Sequence, residues 1–232
     1  MITMESGNPL TNMRIVYLHG FASSAHSTKG SFLAAKFREQ GITIATPDFN
    51  LPEFATLTVT RMIEQVEAIL DDGGPGPVVL IGSSLGAVVA VHVALRREVD
   101  KLVLLAPALD FSAERLEGLG DRGVAEWEKT GWLNVFHYGY GRPMSVRYSL
   151  YTDACGYDCT YAKLTMPILI FQGRRDTVVD PVMVERWASA RPNVQLVLLD
   201  DDHQLGASLE EIWRVTSRFL SKPPESPPSR RP

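Results

Sequence analysis

The sequence is poor in cysteine, and this scarcity excludes proteins that depend on disulfides or on thiolate-bound metals. Its 232 residues include only two cysteines, Cys155 and Cys159, with no second cysteine pair and no nearby histidine pair. Neither a disulfide framework nor a four-ligand zinc site can be assembled from that set. We therefore expect two reduced thiols and no bound metal, with a redox or metal role for the pair as the alternative.

Long apolar runs are also missing. No stretch approaches the roughly 20 consecutive apolar residues that span a bilayer, and residues 1–12 are polar where a secretory leader would be apolar. The 23 Lys and Arg residues face 27 Asp and Glu residues, giving a net charge of −4. Nucleic acid is therefore not an expected partner. We expect a cytoplasmic protein without a membrane span, acting on a small molecule as a monomer or homodimer.

The remaining pattern is an alternation of short apolar runs with amphipathic stretches, which is typical of parallel strands connected by helices. The stretches 57–70 and 209–219 have apolar residues at helical spacing, and should cover the sheet. We predict an α/β fold in one domain, residues 13–220, with a mostly parallel sheet of about six strands and helices on both faces. The predicted strands are 14–18, 42–46, 78–81, 101–105, 168–171 and 194–199.

Three segments fall outside this alternation. Residues 1–12 and the proline-rich tail 221–232 are predicted to be flexible. Residues 110–163 form an insertion that holds every tyrosine except Tyr17, and its part 132–151 is predicted to be a hairpin. Because such insertions cover active sites, we predict an aromatic-rich lid. Within it Trp132, Phe136 and Tyr138 either line a substrate pocket or form the insertion's own core.

The strongest chemical motif is Gly82-Ser83-Ser84-Leu85-Gly86, which follows a predicted strand and precedes a predicted helix over 87–95. In this G-x-S-x-G pattern the central serine lies on a sharp strand-to-helix turn, and the glycines leave room for the neighbouring backbone. Lys followed by Ser or Thr would be needed for a phosphate-binding loop, and Ala87 and Val88 stand there instead. We predict that Ser84 is a nucleophile.

A serine nucleophile needs a base and an acid, and both follow later strands. Asp176 comes after the strand 168–171, and His203 comes after the strand 194–199. Because parallel strands end at one edge of the sheet, both side chains are expected near Ser84. Asp180 and Asp110 are alternative candidates for the acid.

A glycine follows the first strand in Tyr17-Leu18-His19-Gly20-Phe21. The backbone N–H groups of Phe21 and Leu85 are our candidates for an oxyanion hole, which stabilises negative charge on a reacting carbonyl oxygen. The other histidines are predicted to have structural roles, namely His19, His26, His92 and His137.

Together these motifs resemble the α/β-hydrolase superfamily over residues 14–220, and the opening 17–24 with Ser27 and Lys29 is similar to small bacterial YqiA-like esterases. The resemblance implies hydrolysis of esters or thioesters of small acyl groups by the triad Ser84, Asp176 and His203, without a cofactor. The same triad would serve a serine peptidase or a C–C hydrolase. A non-catalytic small-molecule-binding homologue is the alternative from another class, because fold alone does not determine function.

Overall fold

The computed structural model describes residues 10–110 and 119–222, so the predicted flexible ends lie almost wholly outside the described residues. Seven strands and seven helices are described, with a short 3₁₀ turn at Phe54–Thr56. In chain order they are β1 (Arg14–Leu18), α1 (Thr28–Glu39), α2 (Val59–Asp72), β2 (Val78–Ser83), α3 (Leu85–Ala94), β3 (Lys101–Leu105), α4 (Gly120–Thr130), β4 (Trp132–His137), β5 (Arg142–Arg147), α5 (Ser149–Ala154), β6 (Ile168–Gly173), α6 (Pro181–Ser189), β7 (Val194–Leu199) and α7 (Leu209–Ser221).

Five parallel strands form the central sheet in the order β1-β2-β3-β6-β7. Successive side chains of each strand enter opposite faces, so Leu80 and Leu102 pack with α2, α3 and α6 on one side. Val79 and Val103 pack with α1 and α7 on the other. Both faces are therefore covered, which explains why the strands are apolar throughout rather than alternating with polar residues.

One predicted strand is wrong. Residues 42–46 make only an isolated bridge, in which Ala45 exchanges hydrogen bonds with the backbone of β1, accepting from Tyr17 and donating to Ile15. The pairing stops because Pro47, two residues on, has no N–H to donate to a ladder. Within the described residues the main sheet thus has five strands rather than six.

The insertion contains the predicted hairpin. Strands β4 and β5 pair antiparallel from Trp132 opposite Arg147 to His137 opposite Arg142. The inner face of this hairpin joins the main hydrophobic core, where Trp127 of α4 is buried and donates its indole N–H to the carbonyl of Val146 at 3.2 Å. The hairpin is therefore packed onto the domain and contributes to a core shared with the sheet.

The two helices predicted from their apolar spacing are present, as α2 and α7. Thr58 caps α2, its hydroxyl accepting a hydrogen bond from the N–H of Arg61. None of the helices within residues 10–110 and 119–222 has both the length and the apolar character that crossing a bilayer requires.

Candidate functional site

Ser84 lies between β2 and α3, in a backbone conformation that residues other than glycine rarely adopt, with φ 52° and ψ −116°. The flanking glycines make this turn possible. A Cβ added at Gly82 would lie 2.5 Å from the carbonyl oxygen of Gly86, and one at Gly86 would lie 2.2 Å from that of Leu18. No other residue type fits at either place without moving backbone, so the motif presents the serine at the carboxyl edge of the sheet.

Three loops bring Ser84, His203 and Asp176 together. The hydroxyl of Ser84 lies 3.2 Å from Nε2 of His203, and Nδ1 of His203 lies 2.9 Å from a carboxylate oxygen of Asp176. An ionised carboxylate only accepts hydrogen bonds, which places the imidazole proton on Nδ1 and leaves Nε2 to accept from the serine hydroxyl. The arrangement is that of a nucleophile, a general base and an acid that orients the base.

The carboxylate of Asp176 is buried and held by donors on both oxygens. One oxygen accepts from the N–H groups of Val178 and Val179, each at 2.8 Å, and the other accepts from Gln172 at 2.9 Å as well as from His203. Burial alone would raise the pKa of Asp176, but His203 and these N–H donors outweigh it, and the pKa lies below its usual value. The acid is therefore ionised at neutral pH.

The two alternative acids occupy other places. Asp180 caps α6, accepting from the N–H of Val182 at 3.0 Å. Asp110 lines the cavity described below. Neither makes a hydrogen bond with His203, whereas Asp176 does.

The loop after β1 lies directly against the serine. A Cβ added at Gly20 would lie 3.1 Å from both the Ser84 Cβ and the Ser83 carbonyl oxygen. Nearby, the N–H groups of Phe21 and Leu85 have no hydrogen-bond partner among the residues that the structure describes. They are thus available to a ligand, as donors to an oxyanion must be.

His19 fixes the peptide that carries one of these donors. Its Nε2 accepts from the N–H of Phe49 at 3.0 Å, so its Nδ1 carries the proton and donates to the carbonyl of Gly20 at 2.9 Å. A trans peptide directs its carbonyl and its N–H in opposite directions. Holding the Gly20 carbonyl therefore aims the N–H of Phe21 away from His19.

The tip of the hairpin is bonded to the same loop. The N–H of Tyr138 donates to the carbonyl of Ala22 at 2.8 Å. Asn50 donates to the carbonyl of Ser23 at 2.8 Å and accepts from Nε2 of His137 at 2.9 Å. We call Asn50 and His137 the amide–imidazole bridge, because they link the insertion to the loop after β1.

The amide–imidazole bridge is buried and uncharged. His137 accepts the N–H of Tyr140 on Nδ1 at 3.2 Å while its Nε2 donates to Asn50, which is the pattern of a neutral imidazole. Burial lowers the pKa of His137, with a smaller effect in the same direction from His19. His137 was predicted to have a structural role, whereas no role was predicted for Asn50.

These groups surround a cavity of about 1250 Å³ that opens beside Ser84. Its lining includes apolar side chains from the segment after Asp176, namely Val178, Val179 and Met183. It also includes polar side chains from the start of α1 and the turn before it, namely Ser23, Ser24, Ser27, Thr28 and Lys29.

Only one of the three predicted aromatic lining residues borders this cavity. Tyr138 lines it together with Gly139, whereas Trp132 and Phe136 are not among its lining residues. Their positions differ from the expectation because alternation along β4 places them on its outer face, while Val135 and His137 face inward. The guanidinium of Arg147 lies over the Trp132 ring, 5.2 Å from its centre.

Neither cysteine lies in the cavity wall. Both are free thiols, Cys155 exposed and Cys159 buried, and burial raises the pKa of Cys159. In the described parts of the chain, no group of three His, Cys, Asp or Glu side chains is placed to hold a metal ion.

The sequence of the chain matches the profile of UPF0227, described as an uncharacterised protein family, over residues 14–220. The chain belongs to this family. UPF0227 is the family of the YqiA-like proteins, so the resemblance drawn from the motifs is confirmed.

Two curated relatives extend the comparison. This UPF0227 chain is 35% identical over 118 residues to lipase LipV of Mycobacterium tuberculosis, covering 48% of the chain and 44% of the lipase. It is 27% identical over 181 residues to the mitochondrial palmitoyl-protein thioesterase ABHD10 of Rattus norvegicus, covering 72% of the chain and 60% of the thioesterase. The chain thus spans less than two thirds of the length of either relative.

A solved structure shows the fold. Mouse alpha/beta hydrolase domain-containing protein 10 superposes with a TM-score of 0.71 and 23% sequence identity, covering 89% of this chain and 88% of the mouse chain. The predicted α/β-hydrolase fold is therefore confirmed.

Proposed function

We propose that this protein is a serine hydrolase that cleaves carboxylic esters or thioesters of small acyl groups through an acyl-enzyme on Ser84. The observation that carries the proposal is the unbroken hydrogen-bonded chain from the Ser84 hydroxyl through His203 to the ionised Asp176. The names of the lipase and thioesterase relatives support the same chemistry.

In the proposed reaction, the Ser84 oxygen attacks the carbonyl carbon while Nε2 of His203 takes the hydroxyl proton. The carbonyl oxygen becomes negative and accepts hydrogen bonds from the N–H groups of Phe21 and Leu85. As the tetrahedral intermediate collapses, the bond to the leaving oxygen or sulfur breaks, and His203 returns the proton to that atom. Water, activated by the same imidazole, then attacks the acyl-enzyme and releases the acid.

The apolar and polar parts of the cavity lining suggest how the substrate is divided. We propose that an apolar part packs on Val178, Val179 and Met183, and that a polar part meets the serines and Thr28 at the start of α1 and in the turn before it. We also propose that the insertion acts as the predicted lid, with Tyr138 as its contact with substrate. A cytoplasmic location and a monomeric or homodimeric state stay predictions from the sequence.

Labelling and hydrolysis together test the proposal. A fluorophosphonate should label the wild-type protein and leave the Ser84→Ala variant unlabelled, since only an activated serine reacts. A panel of p-nitrophenyl esters, acyl thioesters and p-nitroanilides should be cleaved in its ester and thioester members. Cleavage of the anilides alone would indicate a peptidase instead, and an unlabelled wild-type serine would indicate a binding protein.

A further inference from the structure

Lys29 is buried on the inner face of α1, with only 8% of its surface exposed. It shares that face with Leu33 and Phe37, which follow at intervals of four residues. A lysine in such a place costs free energy unless its amine finds partners. The partners of this amine therefore indicate what the residue does.

Both partners belong to the loop that carries the general base. Nζ of Lys29 donates to the carbonyl of Gln204 at 3.0 Å and to that of His203 itself at 3.4 Å. Lys29 of α1 is thus hydrogen-bonded to the backbone of the loop that carries the imidazole.

The same loop contains a strained residue that needs such support. Leu205 has φ 54°, in the left-handed region that a branched side chain adopts only under constraint from its surroundings. Its side chain is fully buried, and its N–H donates to the carbonyl of Asp202 at 3.2 Å. Without the amine of Lys29, two carbonyls next to this strained residue would lose their donor.

Three carboxylates on the loops after β6 and β7 act electrostatically on the amine. Burial lowers the pKa of Lys29 to about 8, and the negative charges of Asp176, Asp202 and Asp201 oppose that shift. The ammonium form therefore predominates at neutral pH, and a charged donor makes the stronger hydrogen bonds.

We propose that Lys29 is a positioning residue, whose ammonium group holds the loop 202–205 so that the His203 imidazole meets Ser84 and Asp176 at once. The proposal rests on the proposed hydrolase function, because it assigns Lys29 a role in that triad. In this role Lys29 acts through the backbone of the His203 loop and does not itself bind substrate.

Lys101 provides a matched control. It is also a buried lysine, with 5% of its surface exposed, and it also donates to backbone carbonyls, those of Phe219, Leu220 and Lys222 at 3.0, 2.9 and 2.6 Å. Those carbonyls lie at the end of α7 and not in the wall of the cavity. Losing Lys101 should therefore weaken the fold without displacing the base.

The first test compares Lys29→Met with Lys101→Met in ester hydrolysis. We expect Lys29→Met to lower kcat about 10- to 100-fold, because a small displacement of a catalytic group has effects of that order, and to change KM less than about threefold. Lys101→Met should keep its kcat while losing thermal stability. A raised KM with unchanged kcat in Lys29→Met would identify a substrate contact and overturn the proposal.

Chemical rescue keeps the test decisive if Lys29→Met does not fold. In a Cys155→Ser background, the thiol of Lys29→Cys borders the cavity and can be alkylated with 2-bromoethylamine, which rebuilds a lysine-like amine. We expect this reagent to restore kcat and iodoacetamide, which adds a neutral amide, to leave it low. Equal kcat after the two reagents would overturn the proposal.

A measurement that does not depend on turnover distinguishes a failure of this inference from a failure of the proposed function. The proton shared by His203 Nδ1 and Asp176 should give a downfield imidazole resonance in the proton NMR spectrum of the wild type, absent from Asp176→Asn. We expect Lys29→Met to lose or broaden it and Lys101→Met to keep it. A protein that shows this pattern but cleaves no ester would refute the proposed substrate class and leave the role of Lys29 supported. A sharp, unchanged resonance in Lys29→Met would refute that role.

Discussion

The two sides of the site at Ser84 are supported by different kinds of group. On the side of the base, charged groups lie close together, with the ionised Asp176 on the ring of His203 and the ammonium of Lys29 on its backbone. On the side of the candidate oxyanion donors, the loop after β1 is held by the neutral side chains of the amide–imidazole bridge, and the Asn50 amide also donates to the carboxylate of Asp48 at 2.7 Å.

This difference follows the charges of the proposed reaction. An imidazolium forms transiently on the base side, and a fixed carboxylate stabilises it. A negative oxygen forms on the other side, where oriented N–H dipoles stabilise it without a counter-charge that would have to be desolvated. Variants on the two sides should therefore differ in size of effect and in pH dependence.

The largest effect should come from Ser84→Ala. Without the nucleophile no acyl-enzyme can form, so kcat for ester hydrolysis should fall by about 10⁴-fold or more. Steady-state kinetics with p-nitrophenyl esters measures this loss, and circular dichroism should show an unchanged fold. If Ser84→Ala kept most of the wild-type rate, the nucleophile would have to be another residue, and the comparison of the two sides of Ser84 would lose its basis.

Next in size is Asp176→Asn, which should lower kcat about 10³- to 10⁴-fold because the amide no longer holds the proton on Nδ1 of His203. Asp200→Asn is the control, since Asp200 is exposed, pairs with Arg175 and lies outside the cavity wall. It should stay within about twofold of wild type. A similar loss in both variants would mean that general negative charge, rather than the hydrogen bond to His203, matters.

Asp176 also predicts a dependence of stability on pH. Its pKa is lower in the folded protein than in the unfolded chain, so its contribution to stability is present above the unfolded value of about 4 and is lost as pH falls through the folded value. Urea unfolding of wild type and Asp176→Asn between neutral and acidic pH measures it. The difference between the two proteins should shrink as the solution is acidified.

A smaller effect is expected on the oxyanion side from His137→Ala. The buried Asn50 would lose its donor, which costs on the order of 1–3 kcal/mol, and the loop after β1 would lose its link to the insertion. We expect kcat to fall about tenfold, less than for either triad variant. Tyr161→Ala is the control, because Tyr161 is an exposed aromatic of the same insertion, and it should behave as wild type.

Lowering the pH should also reduce the stability of the protein through His137. Burial lowers the pKa of His137 in the folded protein. Below about pH 6.5 the unfolded chain therefore binds a proton at this residue more readily than the folded protein does. The groups facing it are His19, Asp48 and Arg142. Its contribution to stability should therefore decline as pH falls from about 6.5, a decline that His137→Ala should lack in urea titrations.

The sequence predicted the meeting of the three triad residues because each follows an apolar strand, and parallel strands place such ends at one edge. It also predicted the hairpin, from glycines and proline between aromatic runs. The extra strand at 42–46 was predicted because the run is apolar and of the usual strand length, but Pro47 limits its pairing to an isolated bridge. Local sequence pattern therefore predicts the contacts between residues that follow neighbouring parallel strands.

The supporting residues could not be found in the same way. Asn50 and His137 are 87 residues apart, and Lys29 and Gln204 are 175 apart, so no local pattern relates them. Only Lys29 left a signal, since its spacing from Leu33 and Phe37 places a charged residue on the apolar face of a helix. A lysine at such a position is worth testing for a buried partner in any sequence.

The smallest expected effect distinguishes the tip of the hairpin, at Tyr138, from the outer face of β4, at Trp132. Tyr138→Ala should shift the preference for acyl-chain length among p-nitrophenyl esters by a few-fold, on the order of one buried contact, because Tyr138 lines the cavity. Trp132→Ala should leave the profile unchanged, because Trp132 lies under Arg147 on the outer face. If Trp132→Ala altered the profile and Tyr138→Ala did not, the hairpin would have to reorient when substrate binds, and the oxyanion-side loop bonded to its tip would move with it.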